Sequence, residues 1–490
     1  MTVTGDKGSV PRIKDFLPQV FAALSGCLFA ISDGMTYAWT SPMVPYLTSN
    51  SSHIETTHAE AEWLEACYLY GSLAGLPLTL YSVNKFGRKA SVVYASVMVL
   101  ASWVLIGLGD KMIYLFVGRF LSGAAADMAY VACPMYVSEF ADERIRGFLS
   151  GLVMVLDHTG SLILYGLGPF TPYYVIPLLA FILISSNMVL LVYFVPESPY
   201  FLLDNNRVEE ATKAIKFFKS YKDTEEEINQ ISLALERKKY NSGSFRQILS
   251  SRYNRTSLMI IVALNLIPQL LGYSTIVMNL HIILDSAQTV HINSAHAAIL
   301  YGGIMWIASI FCSILVDRFG RKLLIIISAV VSGLCLFVLA CYFHLQYLGF
   351  NVVPISWLPI ASVMTYALFF KIGIGIVPLI VTAEIAPDTI KAFAVALGDG
   401  LFIAGGIISV QLYQFVTKVT GMFIPMYIYF LWAIVLLIFT IFYVPETKGK
   451  SLDDIQKMLR ISAAEDPETV NNERYRRRGS GPENVSLGHI

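Results

Sequence analysis

The chain has 490 residues, of which 55 % are hydrophobic and 14 % are charged, and its mean hydropathy is +0.60. Soluble domains carry about 25 % charged residues. This composition therefore excludes an ordinary soluble enzyme, a disordered chain and a disulfide scaffold, and it indicates an integral membrane protein. The 35 basic residues balance the 35 acidic residues, so the net charge favours no class of partner, and nothing points to nucleic acid. The six cysteines lie in apolar runs without the spacing of a metal site.

Long apolar runs dominate the sequence. A helix needs about 20 apolar residues to cross a bilayer, and we count about twelve runs of that length. The runs cover residues 17–42, 62–83, 90–109, 113–137, 147–168, 173–195, 257–284, 296–316, 322–345, 355–383, 392–416 and 424–444. The sequence thus predicts an all-α membrane protein with twelve transmembrane helices.

The basic residues predict the orientation of these helices. With the N-terminus in the cytoplasm, only Lys111 and Lys418 fall in outside loops. An excess of Lys and Arg in cytoplasmic loops is the expected bias, so both termini are predicted to be cytoplasmic. The first outside loop contains Asn50, followed by Ser51 and Ser52, which is an N-glycosylation pattern.

A polar stretch separates the first six apolar runs from the last six. Its apolar residues recur at helical spacing, which predicts short cytoplasmic helices, and Thr224 with Glu227 fits a capping box. The resulting division is a cytoplasmic N-terminus (1–15), a first half (16–198), a linker (199–256), a second half (257–450) and a cytoplasmic tail (451–490).

Three short motifs occur once in each half. The pairs are Gly87-Arg88 with Gly320-Arg321, Glu139 with Glu384, and Glu197 with Glu446, and Arg146 follows Glu139 in the first half. Glycine permits a tight turn between helices, and the charges must lie at the cytoplasmic surface. Our hypothesis is that Arg–Glu pairs latch the inner face shut; the alternative is that the basic residues only anchor the topology. Parallel repeats place a binding site between the halves.

These motifs, with Gly118-Arg119-Phe120 and Pro445-Glu446-Thr447, resemble those of a sugar porter of the major facilitator superfamily. The resemblance covers about residues 16 to 455 and is greatest to the insect trehalose-facilitator branch. It implies two six-helix halves that rock around a central site. It also implies transport of trehalose or a hexose, facilitative or proton-linked, in the plasma membrane, without enzymatic activity or a cofactor.

The residues at the family's sugar-binding positions depart from its pattern. Gln269 is retained, whereas Ser274 replaces an Asn. Apolar residues replace polar ones or a Trp at most of the other positions, including Phe402 and Ile403 at the Asn-Trp pair of span eleven. Thr36 stands where proton-coupled members carry an Asp. The substrate positions carried over are Gln269, Ser274, Thr36, Met154, Met305 and Leu379. Lost hydrogen-bond partners cost about 1–3 kcal/mol each, so a weak or altered substrate remains open.

Several ionisable residues fall inside the predicted spans. They are Asp33, Asp127, Asp157, His158, Lys371 and Asp399. A charge at the bilayer centre costs about 2.5–3.5 kcal/mol on insertion scales, so these side chains should face a cavity or each other. One hypothesis is that Asp33, Asp127 or Asp157 titrates during transport or binds a cationic solute. The other is that each pairs statically with Lys371 or Arg119, or caps a local helix break.

Three functions stay open from the sequence. The first is transport of a sugar. The second is transport of a different small solute, which the altered sugar positions favour. The third is a sensor-like protein that does not transport. No nucleophile–base spacing or phosphate loop indicates an enzyme.

Overall fold

The computed structural model describes residues 13–142, 144–219, 223–240, 252–288, 292–386 and 391–450, together with residues 455 and 458. These residues are helical almost throughout, and no strand occurs among them. They form two groups of six spans, so the prediction of an all-α protein with two six-helix halves is confirmed.

The first half contains spans 1 to 6. Span 1 comprises Leu17–Cys27, Phe29–Ala38 and Thr40–Leu47, and spans 2 to 6 are His58–Lys85, Arg88–Leu108, Met112–Phe140, Arg146–Leu167 and Val175–Phe194. The second half contains spans 7 to 12. Span 7 comprises Arg252–Leu270, Tyr273–Met278 and Leu280–Ser286, span 10 comprises Leu358–Ile372 and Val377–Ile385, and spans 8, 9, 11 and 12 are Ser294–Phe319, Arg321–Tyr347, Lys391–Thr420 and Phe423–Tyr443.

Length and composition support the membrane assignment. Among the described residues, eleven helical segments are long and apolar enough to cross a bilayer. Span 2 is the twelfth helix of the bundle; its 28 residues are long enough. Glu60, Glu62 and Glu65 near its start make it less apolar than the others.

Spans 1, 7 and 10 are interrupted, although the sequence predicts continuous helices there. In span 7 the helix ends at Leu270, and Gly272 adopts a left-handed conformation with φ of 85°. Span 10 breaks between Ile372 and Val377. Hydropathy reports the burial of a segment and is insensitive to such breaks, which are tolerated in membranes where protein surrounds them.

The predicted glycine turns are confirmed. Gly87 has φ of 103° and Gly320 has φ of 89°, values that favour glycine, and each separates two consecutive spans. Both turns lie at the same end of the bundle as the linker helices. We call this end the linker end, and the opposite end the far end.

The linker forms helices Pro199–Asp204, Val208–Phe218 and Thr224–Tyr240, which pack under the first half as predicted. Phe218 stacks on Phe140 of span 4 with ring centroids 4.4 Å apart. The predicted capping box is wrong. Asp223 instead accepts a hydrogen bond from the Glu225 amide at 3.0 Å, and Glu227 forms an ion pair with Lys219. The helix begins at Thr224, so Asp223 occupies the N-cap position and the Glu227 amide bonds to the Asp223 carbonyl oxygen at 3.1 Å.

Candidate functional site

A chain of polar side chains crosses the boundary between the halves near mid-depth. Ser274 donates a hydrogen bond to Oε1 of Gln269 at 2.6 Å, and its hydroxyl lies 2.7 Å from the hydroxyl of Tyr37 in span 1. Because the Ser274 proton is already used, Tyr37 donates to Ser274. The Gln269 amide, the Ser274 hydroxyl and the Tyr37 hydroxyl thus form one polar group, whose members can donate to and accept from a ligand.

Aromatic rings surround this polar chain. Tyr273 stacks on Phe370 with centroids 4.9 Å apart and planes within 2° of parallel. Tyr37 stacks on Tyr273 at 6.2 Å and meets the Tyr68 ring edge-on at 5.7 Å. Phe402 of span 11 lies 6.5 Å from Tyr273. The site therefore combines amide and hydroxyl groups with ring faces, to which the C–H face of a small ring could pack.

Asp33 and Asp157, two of the acids predicted inside the spans, are brought together by close packing of spans 1 and 5. A Cβ atom on Gly34 would lie 1.8 Å from the carbonyl oxygen of Asp157, and one on Gly160 would lie 1.8 Å from that of Ile31. Asp33 accepts a hydrogen bond from the Tyr68 hydroxyl at 3.0 Å. The absence of side chains at the two glycines is what lets the spans approach so closely.

The other predicted ionisable groups lie near this contact. Nδ1 of His158 lies 3.3 Å from Asp157 and 2.8 Å from the Met154 carbonyl oxygen. Lys371 of span 10 is buried and interacts electrostatically with Asp157 across the boundary between the halves. Asp127 is within electrostatic range of Asp33. These residues form one charged layer beside the aromatic rings.

Arg119 is a separate structural element. Its fully buried guanidinium donates to the carbonyl oxygens of Leu64 and Thr36, and it lies over the rings of Tyr68 and Trp39, 4.8 Å and 5.5 Å from their centroids. It thereby ties span 4 to spans 1 and 2. One alternative from the sequence was a static pair between Arg119 and an aspartate. The described hydrogen bonds of Arg119 go to carbonyl oxygens instead.

Four of the predicted substrate positions present no free polar side-chain group to the boundary. The Thr36 hydroxyl donates to the Ser32 carbonyl within its own helix at 2.7 Å. Met305 is buried, Met154 is half-buried, and Leu379 is exposed on the second helix of span 10. Gln269 and Ser274 are thus the predicted positions that the structure joins, whereas Tyr37 and Tyr273 are site residues that sequence reasoning missed.

The motif residues at the linker end brace the first half. Arg88 pairs with Glu139 at 2.7 Å, and Glu197 accepts hydrogen bonds from the backbone amides of Arg88 and Lys89 at 3.1 and 3.0 Å. Glu197 thus caps the start of span 3. Arg146 donates to the Ala141 carbonyl at 3.4 Å and makes no described contact with these residues.

The second half repeats the arrangement. Arg321 pairs with Glu384 at 2.9 Å, and Glu446 accepts from the amides of Arg321 and Lys322 at 3.0 and 3.1 Å. Partial burial acts to raise the pKa of Glu446, but backbone hydrogen bonds from Lys448, Arg321, Lys322 and Thr447 lower it overall. A latch between the halves needs partners from both halves. Each described pair lies within one half, so these pairs stabilise the individual halves and do not join them.

Further contacts join the halves at the far end. Glu65 of span 2 accepts hydrogen bonds from Asn279 of span 7 at 2.8 Å and from Gln414 of span 11 at 3.1 Å. Glu62 pairs with Lys418 at 2.5 Å. These contacts, which sequence reasoning missed, tie span 2 to spans 7 and 11.

Removing Arg88 should destabilise the protein strongly. Only 9 % of the Arg88 side chain and 13 % of the Glu139 side chain is exposed, and breaking a buried pair costs about 3–5 kcal/mol. Arg88→Ala should therefore lower the thermal unfolding midpoint of the detergent-purified protein clearly. Arg207→Ala is the control, since its pair with Glu210 is exposed and worth about 0–1 kcal/mol. Equal effects of the two variants would refute the bracing role.

Comparison with known proteins identifies the family of this chain. The family model described as "Sugar (and other) transporter" matches residues 19–459. The facilitated trehalose transporter Tret1 of Bombyx mori is 29 % identical over 95 % of this chain and 90 % of its own length. Tret1 of Anopheles gambiae is also 29 % identical, over 90 % of this chain, and this chain spans 56 % of that protein's length.

Solved structures share the fold. The partially occluded inward open conformation of the xylose transporter XylE from E. coli aligns with a TM-score of 0.72 at 21 % identity, over 88 % of this chain and 99 % of that one. The inward open conformation of XylE aligns with a TM-score of 0.71 over 91 % of this chain and 99 % of that one. The protein is a multi-pass membrane protein, and it belongs to the sugar (and other) transporter family.

Proposed function

We propose that the protein carries a sugar, trehalose or a hexose, across the membrane by alternating access. The observation that supports this most is the hydrogen-bonded chain from Gln269 through Ser274 to Tyr37, which joins the halves beside stacked aromatic rings. Amides and hydroxyls donate and accept, as sugar hydroxyls do. The names of the trehalose-transporting relatives and of the xylose transporter agree with a sugar solute.

The proposed movement follows from where the halves are joined. Both braces at the linker end lie within single halves, so each half can move as a unit. At the far end, Glu65 and Glu62 bond to residues of the other half, and these bonds must part when that end opens. The protein would act without enzymatic chemistry and without a cofactor.

We also propose the orientation and location that the basic residues favour. The linker end and both termini would face the cytoplasm, in the plasma membrane, with the segment boundaries given above. Asn50 is exposed in the first loop of the far end, where glycosylation from the outside could reach it. Glycosidase treatment should lower the apparent mass of the wild-type chain and leave that of Asn50→Gln unchanged. A wild-type chain whose mass does not change on treatment would contradict glycosylation.

Uptake of radiolabelled trehalose and glucose into oocytes tests the proposed function. Ser274→Ala should lower the ratio Vmax/KM about tenfold, because losing one hydrogen bond of about 1.4 kcal/mol corresponds to that factor. Ser309→Ala is the matched control: its buried hydroxyl bonds to Met305 within its own helix. Absence of saturable uptake by surface-expressed wild type would refute sugar transport and favour another solute or a non-transporting, sensor-like protein.

The charged layer favours a second candidate, proton-linked transport. Asp157 of the first half and Lys371 of the second interact across the moving boundary, so protonation of the acid would alter the coupling between the halves. Sugar uptake should then vary from about pH 5 to about pH 8 in the wild type and become flat in Asp157→Asn. The same pH profile in both proteins would show that protonation of Asp157 is not coupled to transport.

A further inference from the structure

A histidine of span 7 is bound to span 1 near the far end. The Ser41 hydroxyl oxygen lies 2.7 Å from Nδ1 of His281 and accepts the proton of the His281 backbone amide at 3.2 Å. In the same stretch of span 1, Thr40 donates to the carbonyl oxygen of Met278 at 3.2 Å. Because span 1 belongs to the first half and span 7 to the second, the His281 ring is held in this way only while the far end is closed.

The closed far end also encloses the second nitrogen of this ring. Nε2 of His281 is buried and makes no hydrogen bond to any residue that the structure describes, and the whole residue is 5 % exposed. A neutral imidazole carries one proton, whereas a charged imidazole donates from both nitrogens. A charged ring would therefore leave a positively charged donor buried without an acceptor, which is more unfavourable than a neutral one. The closed far end thus selects the neutral ring.

The ionisable groups around the ring come from the spans packed against it. Asp285, one turn further along span 7, is exposed and interacts electrostatically with His281. Tyr165 of span 5 lies with its ring centroid 6.1 Å from that of His281, and Tyr301 of span 8 meets Tyr165 at 6.2 Å. The segment Thr40–Leu47 of span 1 carries no charged residue. Since tyrosine side chains are neutral near pH 7, Asp285 is the group that would stabilise a charged ring.

We propose that His281 binds a proton when the far end opens and releases it when the far end closes. Opening separates the ring from Ser41 and brings both nitrogens into contact with water, while Asp285 stays one turn away on the same span. Because the open form alone takes up the proton, acid stabilises the open form. The effect needs no bound solute, so it goes beyond sugar transport and beyond the proton role proposed for Asp157.

Proton linkage gives the size of the effect. An imidazole in water changes its charge near pH 6.5. A proton that binds the open form alone raises the ratio of open to closed protein about tenfold between about pH 7.5 and about pH 5.5. Above about pH 7.5 the ratio should be constant, since the ring is then neutral in both forms.

Double electron–electron resonance on the full chain in lipid nanodiscs, without added solute, measures this ratio. Spin labels replace Trp63 and Val419, which are exposed near the far end in different halves, in a background without the six native cysteines. The weight of long over short distances should rise about tenfold from pH 7.5 to pH 5.5. In His281→Gln, whose side chain forms hydrogen bonds but takes up no proton, it should be the same at both pH values. A ratio that does not change with pH when His281 is present, or an unchanged rise in His281→Gln, would overturn the proposal.

Two further variants test whether other groups at the far end carry the pH dependence. His296→Gln removes an imidazole that also reaches the other half, since its ring lies 5.6 Å from that of Phe170. Glu65→Gln removes the acid that ties span 2 to spans 7 and 11. Both variants should keep the tenfold rise, and its loss in either would assign the proton to that group instead. His281→Asn, which also takes up no proton, replaces His281→Gln if the latter aggregates.

Discussion

Gly160→Ala should abolish the folded, transport-competent protein. The new Cβ would lie 1.8 Å from the Ile31 carbonyl oxygen and 2.9 Å from the Met35 amide nitrogen. Both are backbone atoms of span 1, so no side-chain rotation can relieve the overlap, and spans 1 and 5 must separate. Overpacking costs about 1–3 kcal/mol where side chains can adjust, and we expect a larger cost here. Separation would also pull Asp33 away from Asp157 at the charged layer.

Size-exclusion chromatography of the fluorescently tagged protein measures the effect, together with sugar uptake. Gly166→Ala is the matched control, because a Cβ there meets no atom within 4 Å and lies on the same helix. We expect wild-type yield and uptake for the control and aggregation for Gly160→Ala. A monodisperse, fully active Gly160→Ala protein would contradict the close packing of the two spans.

Glu65→Ala should open the far end. Glu65 is 2 % exposed, and its carboxylate accepts two amide hydrogen bonds from residues of the other half. A hydrogen bond to a charged group contributes about 1.5–3 kcal/mol. Loss of even one such bond shifts the ratio of open to closed protein about tenfold or more. The Asn279 amide would lose the partner it has in the closed state, whereas Gln414 would keep its bond to the Glu62 carbonyl oxygen at 3.1 Å, so the closed state is the one destabilised.

Spin labels at positions 63 and 419 report this opening. Trp63 and Val419 are exposed side chains near the far end, one in each half, and serve as sites for cysteine substitution in a background without native cysteines. Double electron–electron resonance should give a larger fraction of long distances in Glu65→Ala. Glu60→Ala is the control, since Glu60 caps its own helix through Thr57. An unchanged distance distribution in Glu65→Ala would show that Glu65 does not hold the far end closed.

The spans could be predicted because hydropathy reports burial in a bilayer directly. The breaks in spans 1, 7 and 10 could not, because they depend on what packs around them. At Gly272, for example, the ring of Tyr429 lies 2.6 Å from where a Cβ would stand. The turns at Gly87 and Gly320 were predictable, since glycine beside basic residues between two apolar runs is a local signal.

The site was predictable only where a motif marks it. Gln269 and Ser274 lie in one family motif, and the structure joins them. Tyr37 comes from the other half, and nothing local distinguishes it among 27 tyrosines. The Arg–Glu pairs at the linker end were predicted by charge, but which half each partner belongs to depends on tertiary packing. The contacts of Glu65 were missed for the same reason.

Sugar counterflow by the purified wild-type chain in proteoliposomes tests the central claim most directly. Vesicles loaded with unlabelled trehalose or glucose are diluted into a trace of the labelled sugar. A carrier that exposes its site to each side in turn should concentrate the label inside transiently, above its external level. Specific sugar binding without this overshoot would contradict alternating access and leave a sensor-like protein, whereas the overshoot would establish a sugar carrier.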